Sequence, residues 1–96
     1  MINEISVAML REKLAQHEDI FLLDVRQPDE YSAFNIGGYL IPLNELLQRL
    51  NEIPHNKPIV VYCRSGKRSA AAVDMLVLHG YKDVKNLVGG MLSWQE

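Results

Sequence analysis

Short apolar runs alternate with amphipathic stretches along the whole chain. Val7, Leu10 and Leu14 recur at helical spacing behind Ser6, a good N-cap residue, and predict a helix over 7–16. Residues 20–25 are apolar but too few for a helix, and suit a buried strand. Pro28 then fits the first turn of a short helix, with Asp29 and Glu30 at its positive end. Gly37-Gly38 forces a loop, residues 39–41 can form a second short strand, and Pro42 ends it. Asn44 is placed to cap a helix over 45–50, and 54–58 reads as a turn. Ile59-Val60-Val61-Tyr62 is the clearest strand, mostly β-branched and uncharged. A helical pattern over 68–79 is stopped by Gly80, a last strand follows over 84–87, and Gly89-Gly90 turns the chain into a short segment holding Met91, Leu92 and Trp94.

Strands that alternate with helices indicate an α/β fold: a mostly parallel sheet covered by helices on both faces. In such sheets ligands sit beyond the carboxyl ends of central strands, and Cys63 lies at that end of the best strand. Phe21, Leu23, Met91 and Trp94 read as core. Phe34 and Tyr39 could serve either packing or substrate contact. Asp24, Arg26 and Glu30 are expected to form a charged network behind the site, with Arg26 paired to Glu30. His17, His55 and His79 read as surface or capping residues.

Composition narrows the function. Ninety-six residues suit one domain, 1–96, and 48% apolar with 23% charged residues is ordinary for a globular chain. A net charge of −2 argues against nucleic acid as the main partner. No apolar run approaches the roughly 20 residues of a membrane span. Met1-Ile2-Asn3-Glu4 carries no basic region ahead of an apolar stretch, so no secretory signal is expected and the cytoplasm is the default location. A single cysteine excludes an internal disulfide and a cysteine-rich metal site, and the histidines do not stand at ligand spacing from it. No metal site built on the cysteine is therefore expected.

Cys63-Arg64-Ser65-Gly66-Lys67-Arg68-Ser69 runs from strand through a tight loop into a helix. Amides at a helix start have no partner inside it and attract anions. Gly66 lets the backbone curl, and Arg64, Lys67 and Arg68 lie within five residues of the sulfur. A helix end supplies about 0.3–1 kcal/mol, up to about 2 when partly buried. One pKa unit is about 1.4 kcal/mol, so the dipole alone lowers a thiol by about one unit. Direct N–H bonds and arginines are needed for more, and the loop has both kinds of group. A lone cysteine after a β-branched strand is otherwise more often an inert core residue; the glycine-containing, tri-cationic loop is what favours a thiolate.

Four segments carry a family resemblance. Asp24-Val25-Arg26-Gln27-Pro28-Asp29-Glu30-Tyr31 resembles the early rhodanese motif, and Ile36-Gly37-Gly38 through Ile41-Pro42 the segment after it. The Cys63–Ser69 loop resembles the rhodanese active-site loop. Gly80-Tyr81 and Leu87-Val88-Gly89-Gly90 with Trp94 resemble the closing motif. The chain departs from the pattern at Phe34-Asn35, where the family usually has Gly-His; Asn35 could hydrogen-bond in place of the histidine. The resemblance implies a three-layer sandwich with a five-stranded sheet. It implies that Cys63 attacks the outer sulfur of an anionic donor such as thiosulfate or polysulfide, becomes a persulfide, and passes the sulfur to cyanide, a thiol or a protein acceptor. Backbone amides of Arg64, Ser65, Gly66, Lys67, Arg68 and Ser69 would hold the persulfide, while the three cationic side chains would attract the donor, and the resemblance implies neither a metal nor an organic cofactor.

Two other readings remain. Phosphatases and arsenate reductases of similar fold use a cysteine loop that typically has about five residues between cysteine and arginine. Here four separate Cys63 from Arg68, and each residue spans up to about 3.6 Å, so the loop is better matched to one sulfur atom than to an oxyanion bearing a substrate. A non-catalytic binding module, or a sulfur carrier for a biosynthetic partner, is the third reading.

Overall fold

A computed structural model describes residues 3–95; Met1, Ile2 and Glu96, including two of the residues read for a signal, lie outside the described part. Five strands, β1 (Glu4–Ile5), β2 (Phe21–Asp24), β3 (Tyr39–Leu40), β4 (Ile59–Tyr62) and β5 (Val84–Leu87), form one sheet in the order β1-β5-β4-β2-β3. All four pairings are parallel. The helices are α1 (Val7–Ala15), α2 (Pro28–Ala33), α3 (Lys67–Leu78) and α4 (Gly90–Trp94), with 3-10 turns at Leu43–Gln48 and Leu50–Glu52.

The central strand β4 is buried throughout and sorts its side chains by strand periodicity. Ile59, Val61 and, beyond the strand, Cys63 point into a cluster with Ala72, Val73 and Leu76 of α3 and with Leu46 and Ile53. Val60 and Tyr62 point the other way, to Leu10 of α1 and Met91 of α4. Each such aliphatic side chain contributes about 1.5–3 kcal/mol on burial. The two clusters make the three-layer α/β sandwich expected from the alternation of strands and helices. Leu23 and Met91 are fully buried core, and Phe21 and Trp94 pack partly buried against the two clusters.

Local expectations hold where a specific group enforces them. Ser6 Oγ accepts the Met9 N–H at 3.1 Å and starts α1. His79 ends α3, and the Gly80 and Tyr81 amides bond back to the carbonyls of Val77 and Leu76.

Other expectations need correction. Asn44 caps no helix: residues 43–52 form 3-10 turns beginning after Pro42, and the Asn44 side chain instead accepts from Gln27 Nε2. Helix α3 begins at Lys67, one residue earlier than the apolar pattern indicated. Strand β1 and helix α4 had no clear sequence signal, being two and five residues long. β1 exists because β5 offers it an edge, with Glu4 opposite Asn86 and Ile5 opposite Leu87.

The register aligns the carboxyl ends of the central strands. Asp24 stands opposite Tyr62, and Val61 opposite Asn86. Cys63 therefore leaves the sheet between Val25 on one side and the β5 terminus on the other.

Candidate active site

Cys63 is 1% exposed at the mouth of the sheet. The chain curls around its sulfur. The Gly66 N–H donates to Sγ at 3.1 Å and the Ser69 N–H at 3.4 Å, while Ser69 Oγ lies 3.3 Å away. Gly66 makes the curl possible: its φ is +106°, in the left-handed region that side chains rarely adopt. Burial pushes the Cys63 thiol up. The Ser69 hydroxyl and the N–H groups of Ser69, Gly66 and Ser65 outweigh it, leaving the thiol below its ordinary value. The lowering is a hydrogen-bond effect: of the two kinds of group the sequence offered, the direct N–H bonds supply it, together with the Ser69 hydroxyl.

A loop that turns its amides inward turns carbonyls outward, and buried carbonyls need donors. The last segment of the chain supplies them. Met91 N–H bonds the Cys63 carbonyl at 2.9 Å and Leu92 N–H the Arg64 carbonyl at 3.0 Å. These are first-turn amides of α4, which have no partner within their own helix. The approach is so close that a Cβ on Gly90 would collide with both carbonyls. Asn86 of β5, 8% exposed, braces the loop from the side. Its Nδ2 donates to the Gly66 carbonyl at 3.2 Å and its Oδ1 accepts from the Ser69 hydroxyl at 2.5 Å.

The charged groups divide differently from the expected network. Arg26 pairs with Asp24, not with Glu30, through contacts of 2.8–3.1 Å, and its Nη2 also donates to the Phe34 carbonyl at 2.7 Å. Arg26 sits in the bend after β2, where its own N–H also donates to the Asp24 carboxylate at 3.0 Å, whereas Glu30 turns away in α2. Glu30 closes the α2 capping box on the Gln27 N–H at 2.9 Å and takes Arg68 in a bidentate pair at 2.7 and 2.8 Å. Arg68, expected to attract a donor, is thus held by a carboxylate. The exposed cations Arg64 and Lys67 have no side-chain partner among the described residues.

The Phe34-Asn35 substitution also takes a definite form. Asn35 turns onto its own loop, donating to the Tyr31 carbonyl at 3.1 Å and accepting the Gly37 N–H at 2.9 Å. Phe34 and Tyr39 are both exposed. Tyr39 rests against Phe21 and donates to Glu52. His79 caps α3 and His55 stacks on Tyr81. Sequence reasoning missed Asn86 and the α4 amides; an asparagine in a strand of ordinary composition gives no motif to find.

The chain matches the rhodanese family, described as a rhodanese-like domain, over residues 6–96. It belongs to that family. A protein from Allochromatium vinosum named sulfurtransferase is 41% identical over 95 residues, covering 98% of this chain and 89% of that one. Bacillus subtilis YrkF is 39% identical over 94 residues, and there the match spans 97% of this chain but only 51% of the longer protein. The crystal structure of a rhodanese-related protein from Thermoplasma volcanium superposes with a TM-score of 0.88 at 33% identity, covering 97% of this chain and 90% of that one. These relationships support a sulfur-transfer role of the rhodanese kind. Among the described residues no helix is long and apolar enough to cross a membrane, and no three His, Cys, Asp or Glu side chains stand together as a metal site.

Proposed function

We propose that this rhodanese-like domain is a sulfurtransferase that carries sulfane sulfur on Cys63 between a small anionic donor, thiosulfate or polysulfide, and a thiophilic acceptor, a thiol or cyanide. The observation that carries this reading is the ring of N–H donors on a buried sulfur. With thiosulfate the Cys63 thiolate attacks the outer sulfur. A new S–S bond forms, the old one breaks, and sulfite leaves with the bonding electron pair. The product is a persulfide whose negative charge sits on its terminal sulfur, within reach of the amides from Arg64 to Ser69. An acceptor thiolate or cyanide then attacks that terminal sulfur and restores the Cys63 thiolate. The chemistry follows thiol–disulfide exchange and needs no cofactor.

Arg64 and Lys67, exposed and unpaired among the described residues, are the groups offered to an approaching dianion. Arg68 supports the loop through Glu30 instead. Its two terminal nitrogens are already spent on a carboxylate, which counts against an oxyanion cradle of the phosphatase kind, as does the four-residue gap. A reducing compartment such as the cytoplasm suits an acceptor that must be a free thiol.

Intact mass after incubation with thiosulfate tests the reading. One added sulfur, about 32 Da, is expected on the wild-type protein, removed by cyanide and absent from Cys63→Ser. If no donor adds sulfur, the domain is a binding module and the proposal fails.

A further inference from the structure

Ser69 has one hydroxyl proton and two claimants for it. Asn86 Oδ1 lies 2.5 Å from Ser69 Oγ on one side, and Cys63 Sγ lies 3.3 Å away on the other. The Asn86 amide cannot turn over to end the contest without loss. Its Nδ2 is engaged with the Gly66 carbonyl at 3.2 Å, and a carbonyl can only accept. With Cys63 as a thiol every proton has a place: S–H points to Oγ, and O–H points to Asn86. With Cys63 as a thiolate the chain is frustrated. If the hydroxyl turns to the sulfur, a lone pair of Ser69 faces the Asn86 carbonyl oxygen. If it stays on Asn86, a lone pair faces the anionic sulfur.

We propose that Asn86 is a positioning residue that competes with the Cys63 sulfur for the Ser69 proton, weakens the hydroxyl's support of the anion, and so disfavours the bare thiolate relative to both the thiol and the persulfide. In the persulfide Sγ is neutral and divalent, a weak acceptor, and the hydroxyl can stay on Asn86 as it does beside the thiol. The resting and loaded forms then share one proton arrangement, and only the form that attacks the donor is raised. This rests on Cys63 being the reacting atom, as the preceding section proposes.

The other groups around the sulfur act independently of this contest. The Arg68–Glu30 pair faces it from α3 and α2, and the buried Asp24–Arg26 pair lies at the β2 end. Arg64 and Lys67 are the loop's own cations. From β5 comes Asn86, uncharged, and from α4 only main-chain N–H groups bonded to carbonyls.

The test is the pH profile of Cys63 alkylation by iodoacetamide, which does not depend on sulfur transfer. In Asn86→Ala the midpoint is expected to fall by about one unit, as one charge-assisted hydrogen bond is released to the sulfur. The plateau rate above the midpoint falls about threefold, since a less basic thiolate is a weaker nucleophile, and the rate well below the midpoint rises about threefold. A merely structural role for Asn86 predicts the opposite sign: a loosened loop loses amide bonds to sulfur and the midpoint rises. An unchanged or raised midpoint overturns the proposal. In a Ser69→Ala background Asn86→Ala should produce no further shift; an equal downward shift without the hydroxyl also overturns it. Should Asn86→Ala not fold, the wild-type protein answers by NMR. The Asn86 side-chain amide signals should move with the thiol titration and become pH-independent once Cys63 is carbamidomethylated; signals that never move refute the competition. Failure of these measurements leaves persulfide formation in the mass experiment untouched, so the two readings fail separately.

Discussion

Two arginine–carboxylate pairs flank the same loop and differ in almost everything except chemistry. Asp24–Arg26 is buried, with side-chain exposures of 0% and 6%; Glu30–Arg68 is about a quarter to a third exposed, at 26% and 34%. The first joins near neighbours where the chain bends out of β2, and it ties the Phe34 carbonyl to the sheet. The second joins α2 to α3 across 38 residues of sequence. A buried pair is costly to break because one partner is left charged and dry. An exposed pair contributes little to stability, but it can decide which charges a substrate meets. The buried pair therefore belongs to the fold, and the exposed pair to the site.

The sharpest way to break this comparison is to remove one partner of each pair. Asp24→Ala should cost about 3–5 kcal/mol of unfolding free energy in a denaturant titration, because Arg26 stays buried without a counter-ion. A loss under about 1 kcal/mol would mean that water reaches Arg26 and that the contrast is false. Glu30→Gln should cost only about 0.5–1 kcal/mol. Its effect on donor binding is of similar size: Arg68 is released beside the sulfur, and KM for thiosulfate should fall roughly threefold, a change of about 0.7 kcal/mol by the usual conversion. An unchanged KM would show that Arg68 has no electrostatic share in capturing the donor.

Salt and acid then sharpen the distinction. In 1 M KCl the Debye length is about 3 Å, so the stability deficit of Glu30→Gln should vanish while that of Asp24→Ala persists, read from the same titrations. The Arg68 guanidinium, helped by the Gln27 N–H, holds the Glu30 carboxyl down at about 2 against an ordinary 4.5. A carboxyl with a depressed folded value stabilises above its unfolded value and loses that contribution as pH falls through its folded one. The difference between wild type and Glu30→Gln should be full at pH 5 and fade between about pH 4 and 2. Acid titrations of the two proteins that stay parallel down to pH 2 would contradict the ion pair.

Much of this architecture could be read in the chain because it follows from periodicity. Strands β2, β4 and β5 are each four residues long, and the uncharged, mostly β-branched run of β4 ends next to Cys63 before any contact is known. The cysteine loop was legible through Gly66 and its cations. What escaped were features that depend on a partner distant in sequence. The Arg26–Glu30 spacing looks helical, yet Arg26 precedes α2 and lies in the bend after β2, so its neighbour is Asp24. Arg68 looked like a free cation because Glu30 is 38 residues away. Asn86 is invisible until β5 is set beside β4. Residues 43–52 carry a helical apolar pattern, but Pro42 and the packing of Leu46 and Ile53 under α3 settle them as 3-10 turns.

The brace from α4 has a consequence for the order of synthesis. Cys63 and its loop leave the ribosome before Asn86, Met91 and Leu92, the residues whose donors hold the loop's carbonyls. β4 can meet β2 early, but its β5 side and the loop's outer hydrogen bonds must wait for residues 84–92. A nascent protein therefore carries its thiol without the finished cradle, which closes only as α4 docks.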